Sequence, residues 1–548
     1  MSLPAFLLSR SGALLAACFF AAAPLEDRAA EIIAGPSEAD LRAAIAAAEE
    51  GDTVIVTSNI ILQAPVRIAK RLTLRSNRQP NSGRISGGFA GALFELAASG
   101  IVLEWLDLLS NAEQTDGLRA EAGFLMRDCT MQLFRRPVDT ERLTDLSQII
   151  RLERVDMSYN LHEMAAWQLE AKDCTFGHNG GLGVFAGNAF LERCTFENNQ
   201  DAGLSLIFGT VRSCIFRFNG GYGLYFDPDP GAMNLSASVF YGNVGGGILL
   251  GEDAVATIDN CTFTRHTGRP AVLVTQAHDV LFRHCTVADN IVIDGGGFPD
   301  GYPPGGAFTQ RTEGRVELQN CLIADNPTSE SPYASDLVGV WINSGGNVIG
   351  GPAHLGVLRD NGGPTPSLVP QAGSPAIDAG VPSVVMRDAR GLSRQAGAAP
   401  DAGAIEVNAG ELVDTDGDGL PDIWEIFRGL DPADRTDAVA DADGDGKVAL
   451  DEFRSGTDPR DPNSFLQIPE ISTYDVGSSR YVALTFKSVR GVNYRIERST
   501  DLQQWQRAPG GFSSQLMMPG RIPSLLFTTP VDQPNSFYRL VVIDNPLE

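Results

Sequence analysis

The feature that most constrains this chain is one frame repeated ten times between residues 106 and 321, at a mean spacing of about 24 residues. Seven copies centre on a cysteine: Cys129, Cys174, Cys194, Cys214, Cys261, Cys285 and Cys321. Leu106, Val155 and Ser238 hold the same place in the other three. Two residues later comes a large apolar side chain, as in Phe176, Phe196 and Phe263. A period in this range means stacked supersecondary units, each burying its apolar face against the next.

The unit is a strand. Side chains alternate along it, so Cys194 and Phe196 point to one side while Arg193 and Thr195 point to the other. Three residues after the large apolar position stands an asparagine, at 111, 160, 179, 199, 219, 243, 290 and 326. Asparagine tolerates the left-handed conformation and bonds its own backbone, so it is expected to turn the chain once per repeat. A second short strand follows, as in Gly203-Leu-Ser-Leu and Gly223-Leu-Tyr-Phe. Two or three short strands per turn, in register from copy to copy, specify a mainly β fold: a right-handed parallel β-helix over residues 31–407. Its cysteines would form an interior ladder at the strand spacing of roughly 4.8 Å. That geometry does not suit disulfides, so the thiols read as small buried hydrophobes. Before the first coil, Ser37 and the apolar spacing of Leu41 and Ile45 predict a capping helix that Gly51 ends.

Near the end of this stretch, Leu358-Arg-Asp-Asn-Gly-Gly-Pro-Thr-Pro366, Gly373-Ser-Pro-Ala-Ile-Asp-Ala-Gly380, Asp388-Ala-Arg-Gly391 and Asp401-Ala-Gly-Ala-Ile-Glu406 are similar to the choice-of-anchor Q domain. Ala389 stands where that family has glutamine. The resemblance covers 355–407 and implies an exported bacterial surface protein, without implying a reaction.

Residues 411–462 are strongly acidic, in a chain whose formal charge is −26. Asp414-Thr-Asp416-Gly-Asp418-Gly-Leu420-Pro-Asp422-Ile-Trp-Glu425 fits a twelve-residue calcium loop. Carboxylates stand at its first, third, fifth, ninth and twelfth positions, and glycine at the sixth. The seventh, Leu420, supplies a backbone carbonyl. Asp441, Asp443, Asp445, Lys447 and Glu452 repeat the pattern 27 residues on, with Ala449 at the ninth position, where water often substitutes. Carboxylates packed at this spacing repel one another unless a hard cation takes their oxygens, so the expected cofactor is Ca²⁺. Asp-x-Asp-Gly-Asp-Gly followed by Gly-x-Asp-Pro resembles the thrombospondin type 3-like repeats of secreted bacterial proteins. That resemblance implies Asp431 and Asp458 as further ligands, and a stiffened linker as the result.

From 465 to 545 the pattern becomes strict alternation, as in Tyr481-Val-Ala-Leu-Thr-Phe486, with turn signals between the runs. This predicts a small antiparallel β-sandwich. Tyr494-Arg-Ile-Glu-Arg-Ser-Thr-Asp-Leu-Gln-Gln-Trp505 is similar to terminal Ig-like or fibronectin-like modules. At the other end, Arg10 precedes an apolar run that suits a secretory signal peptide over 1–23, with Ala21 and Ala23 as a cleavage pattern. Leu15-Ala-Ala-Cys18 also resembles a lipobox. No later segment is long and apolar enough to span a bilayer.

The negative charge excludes nucleic acid as a natural partner. The expectation is a monomeric, secreted or cell-surface protein that binds an extracellular polysaccharide or another cell-surface component without catalysis. The alternative is a polysaccharide lyase or glycoside hydrolase. Its candidate groups are Asp227, Asp229, Arg265, His266 and Arg269 on turns of neighbouring coils, with Phe298 and Tyr302 on an inserted loop. Val340-Trp-Ile-Asn343 resembles a pectate lyase signature but lacks the Asp and His that complete it, and no Asp-Asp pair exists anywhere.

Overall fold

A computed structural model describes residues 29–543 apart from 79–82, 142–144, 146, 229–230, 276–278, 293–306, 311–313, 327–335, 357, 408–412, 456, 463, 465–469, 477–478, 488–492, 509–510, 515–523 and 531–535. The expected signal peptide over 1–23, Asp229, Phe298 and Tyr302 lie outside the described residues.

The cysteine repeat builds one wall of a parallel coil. Thr175–Gly177, Thr195–Glu197, Ile215–Arg217, Val239–Tyr241 and Thr262–Thr264 pair in parallel and in register, within a sheet of thirteen strands. The register stacks like on like. Phe176, Phe196, Phe216, Phe240 and Phe263 lie face to face with ring centroids 4.5–5.2 Å apart. All seven repeat cysteines are buried and unbridged beside them. Burial pushes the Cys129 thiol up to about 12, so the column is chemically quiet. A second parallel sheet of nineteen strands forms the opposite side, including nine-residue strands at Met164–Lys172, Val184–Glu192 and Leu204–Arg212.

The corners differ from the sequence expectation in an instructive way. Each cysteine-wall strand is entered through a left-handed residue just before the cysteine position, such as Asp173, Arg193 and Ser213, with φ between 51° and 55°. It is left through another, such as His178, Asn198 and Phe218, one residue before the asparagine. The asparagines themselves do not adopt that conformation. Their side chains turn inward, where Asn219 Oδ1 accepts from Asn199 N at 3.1 Å and from Asn199 Nδ2 at 2.9 Å. Its own Nδ2 donates to Phe196 O at 3.1 Å. The same ladder links Asn160, Asn179, Asn199, Asn219 and Asn243, and Asn290 to Asn326. A buried corner carries amides and carbonyls that no strand partner reaches, and the primary amide satisfies both kinds at once. Asn111, the first in the series, is exposed and stands outside the ladder.

The cap is α1 (Glu38–Ala47), with a reciprocal Ser37–Asp40 capping box and Leu41, Ala44 and Ile45 buried. It ends at Ala47, before Gly51, with Ala48 extended, and Lys70 Nζ donates to the carbonyls of Ala46 and Ala48 at 3.1 and 2.5 Å.

Residues 353–407 leave the coil and run across the outer face of the cysteine wall. Leu358 and Leu368 pack on Ile215, Val239 and Tyr241, while Ala376 and Ala402 pack on Leu322 and Ala324. Arg394, 2% exposed, reaches Asn260 Oδ1 at 2.8 Å and three carbonyls of its own segment. Beside it Asp388 pairs with Arg390 at 2.9 Å, and Glu406 accepts from Asp401 N at 2.8 Å. The motif acids and arginines therefore form a buried knot that fastens the segment to the coil. Among the described residues beyond 462 the strands pair antiparallel, in a four-stranded sheet that includes Ser479–Lys487 and a three-stranded one that includes Asn493–Ser499.

Candidate metal centre

The two acidic loops belong to one small unit. The first leads from Asp414 into α2 (Asp422–Arg428) and the second from Asp441 into α3 (Ala449–Ser455). Leu420, Trp424, Ala438 and Ala449 form its core, and Trp424 meets Phe453 edge to face at 5.2 Å.

The loops fold identically. Asp414 accepts from the amides of Gly417, Asp418 and Gly419 at 2.6, 3.0 and 2.9 Å. Asp441 accepts from Gly444, Asp445 and Gly446 at 2.7, 3.1 and 2.8 Å. Gly419 and Gly446, the sixth positions, have φ of 98° and 90°, which a side chain would resist. The seventh positions, Leu420 and Lys447, donate their amides to Asp418 and Asp445 at 2.8 Å each.

Three groups of carboxylates each bring ligand atoms within 4.8 Å of one another and could hold a metal ion: Asp414 with Asp416 and Asp418, Asp418 with Glu425 and Asp437, and Asp441 with Asp443 and Asp445. Their chemistry fits a hard cation. Glu425 and Glu452 are 0% exposed, and none of their four carboxylate oxygens has a hydrogen-bond partner. One buried oxygen each of Asp416, Asp418, Asp437, Asp443 and Asp445 is likewise unpartnered. Burial, then the charges of Asp418 and Asp437, pushes Glu425 up to about 8. Burial, then Asp445, pushes Glu452 up to about 7. Buried carboxylates are normally paired or bound to metal, and Glu425 has Asp418 and Asp437 within reach, while Glu452 lies outside the second acidic group.

The remaining expected ligands sit differently. Asp422 faces back along its loop, accepting from Thr415 N at 2.8 Å and Thr415 Oγ1 at 2.6 Å. Asp431 accepts from Ala433 N at 3.1 Å, within its own turn. Asp458 accepts from Arg460 N and from Arg428 Nη1, both at 3.2 Å. Asp437, which the loop pattern does not mark, joins the first centre instead. Its only signal in the sequence is local acid density.

The unit also touches the segment that crosses the coil. Arg428 bridges Asp360 at 3.0 Å and Asp458 at 3.2 Å. Arg359 lies over the Phe453 ring, 4.9 Å from its centroid.

Among the described residues, the catalytic candidates are placed separately. His266 is 0% exposed and occupies the asparagine ladder. Its Nδ1 accepts from Asn243 N at 3.1 Å, and its amide donates to Asn290 Oδ1 at 3.1 Å. Asp227 is exposed on the coil surface, accepting from Tyr225 Oη at 3.2 Å. Arg269 stands over the Tyr222 ring at 6.0 Å. Asn343 closes a turn, accepting from Gly345 N at 2.9 Å and Asn347 Nδ2 at 2.8 Å.

Comparison with known families places the coil. The family described as the right-handed β-helix region matches residues 153–252 and 229–351. The coil is a right-handed parallel β-helix. No curated protein matches the chain. Among solved structures, the A-module of a mannuronan C-5 epimerase from Azotobacter vinelandii is 11% identical, with a TM-score of 0.37 over 58% of this chain and 100% of that one. A pectate lyase is 12% identical, with a TM-score of 0.35 over 69% of this chain and 96% of that one.

Proposed function

We propose that the protein is a non-catalytic, exported β-helix scaffold whose residues 411–462 bind two Ca²⁺ ions and thereby stiffen the joint to a C-terminal β-sandwich module. The observation that carries the reading is the pair of fully buried, unpartnered carboxylates at Glu425 and Glu452. Each closes a loop whose glycine and aspartate positions match a calcium loop. Asp414, Asp416, Asp418, the Leu420 carbonyl and Glu425 would hold one ion. Asp441, Asp443, Asp445, the Lys447 carbonyl and Glu452 would hold the other. Bound Ca²⁺ supplies charge compensation for these carboxylates and removes the mutual repulsion that opposes closure of the loops.

The rod and its terminal module serve attachment outside the cell, with a polysaccharide or other cell-surface component as partner. Catalysis is the weaker reading, because His266 is consumed by the ladder and is not available to act beside the exposed Asp227. Two assays test the assignment. Calorimetric addition of Ca²⁺ to chelator-treated protein should saturate at two equivalents, and a protein that takes up none would overturn the calcium reading. Incubation with a panel of acidic and neutral glycans should give binding without new chain ends. Cleavage abolished by Asp227→Ala would install the enzyme reading instead.

A further inference from the structure

The two acidic loops share their first, third, fifth, sixth and twelfth residue types, but the chain around them differs. After the first loop, Asp437 Oδ2 accepts from Asp431 N at 2.8 Å. That bond aims the other oxygen, Oδ1, at the centre, where it is buried and unpartnered within reach of Asp418 and Glu425. The residue 27 positions later is Ser464. Its Oγ accepts from Asp458 N at 2.9 Å, so it holds the second turn in the same manner but carries no charge. The asymmetry extends into the loops. The first has Leu420 where the second has the cation Lys447, while each loop carries five carboxylates, Asp451 in the second offsetting the lack of a counterpart to Asp422.

We infer that Asp437 is a further calcium ligand of the first centre, and that the two centres are unequal, with the first filling before the second. This rests on the calcium reading above. Affinity at such loops is set by the number of charged ligands and the rigidity of the cage. Asp437 adds to both, since its second oxygen is already fixed by a backbone amide. Two independent features point to a ligand at this place: the clustering of three carboxylates, and the complete burial of Glu425 with both oxygens unpartnered.

The test is calcium titration of the full chain, followed by calorimetry and by the fluorescence of Trp424, which is 2% exposed and belongs to the first loop's helix. The wild type should resolve two affinities. Asp437→Asn keeps an acceptor for the Asp431 amide but removes the charge, and should weaken the tighter affinity roughly tenfold or more. Ser464→Asp should strengthen the weaker one in the same direction. Thermal unfolding of the β-helix should be unchanged in both variants, which excludes misfolding as the cause. Two ions bound with both affinities unmoved by Asp437→Asn would overturn the inference and leave the calcium reading standing. No calcium uptake by the wild type would overturn both.

Discussion

The β-helix and the acidic unit solve the same problem, buried polar groups, in opposite ways. In the coil, each interior asparagine finds its partners one turn above and one turn below, so the polar column is satisfied by the repeat itself. In the acidic unit, identical loops bring identical charges together, and repetition multiplies the repulsion instead of relieving it. Homotypic stacking works for a side chain that is both donor and acceptor. It fails for a carboxylate, which only accepts. The coil is therefore self-sufficient, whereas on the proposed reading the acidic unit depends on an ion.

The largest expected effect breaks the molecule along that line. Chelation should loosen residues 411–462 and expose them to protease while the coil stays intact. Limited digestion with and without chelator checks this, and an identical pattern in both would sink the proposed dependence.

Next in size is a break in the ladder. Asn219→Ala removes the acceptor of Asn199 N and Nδ2 and the donor to Phe196 O. It leaves several buried groups unpaired, at a cost of about 3–5 kcal/mol. The drop should appear in the denaturation of the coil and be indifferent to calcium. A loss under about 1 kcal/mol would show that water or relaxation replaces the ladder.

The comparison also explains what could be read in advance. The period, the wall and the buried thiols were legible because each copy restates them. The asparagines were legible as corner residues, but not in their role. The left-handed conformation falls on the preceding residue, whose identity varies from His178 to Asn198 to Phe218, and the side-chain ladder appears only when coils are stacked. The course of 353–407 was not legible at all, because its anchor joins Arg394 to Asn260 across 134 positions. Asp437 escaped for the opposite reason: the repeat that marks the other ligands has Ser464 in its place.

His266 is a ladder position that titrates, and it sharpens the contrast further. Burial pushes its pKa from 6.5 down to about 4. The folded state thus binds fewer protons than the unfolded state between these values. Stability is full above about 6.5 and is lost as the pH falls toward 4, by roughly 3 kcal/mol. Asparagine is the residue at the neighbouring ladder positions 243 and 290, so His266→Asn should fold normally and flatten the acid limb of the stability profile. Denaturation midpoints from pH 7 to pH 4 for both proteins check this. A limb that persists unchanged in the variant would assign the acid sensitivity elsewhere.

The smallest effect concerns the thiols, and Ser238 already indicates its size. Ser238 stands in the cysteine column, where its Oγ accepts from Cys214 N at 3.0 Å and donates to Ser236 O at 2.9 Å. Cys214 uses its sulfur in the same two directions, accepting from Cys194 N at 3.4 Å and donating to Arg212 O at 3.3 Å. A hydroxyl placed at 214 therefore inherits both partners and gives up only the larger, softer packing of sulfur. Cys214→Ser should cost about 1 kcal/mol. For the same reason a reducing agent should leave the melting temperature of the coil unchanged, since its stability owes nothing to a disulfide. A fall of several degrees on reduction would mean that some of these thiols pair in solution, and the interior column would have to open to let them do so.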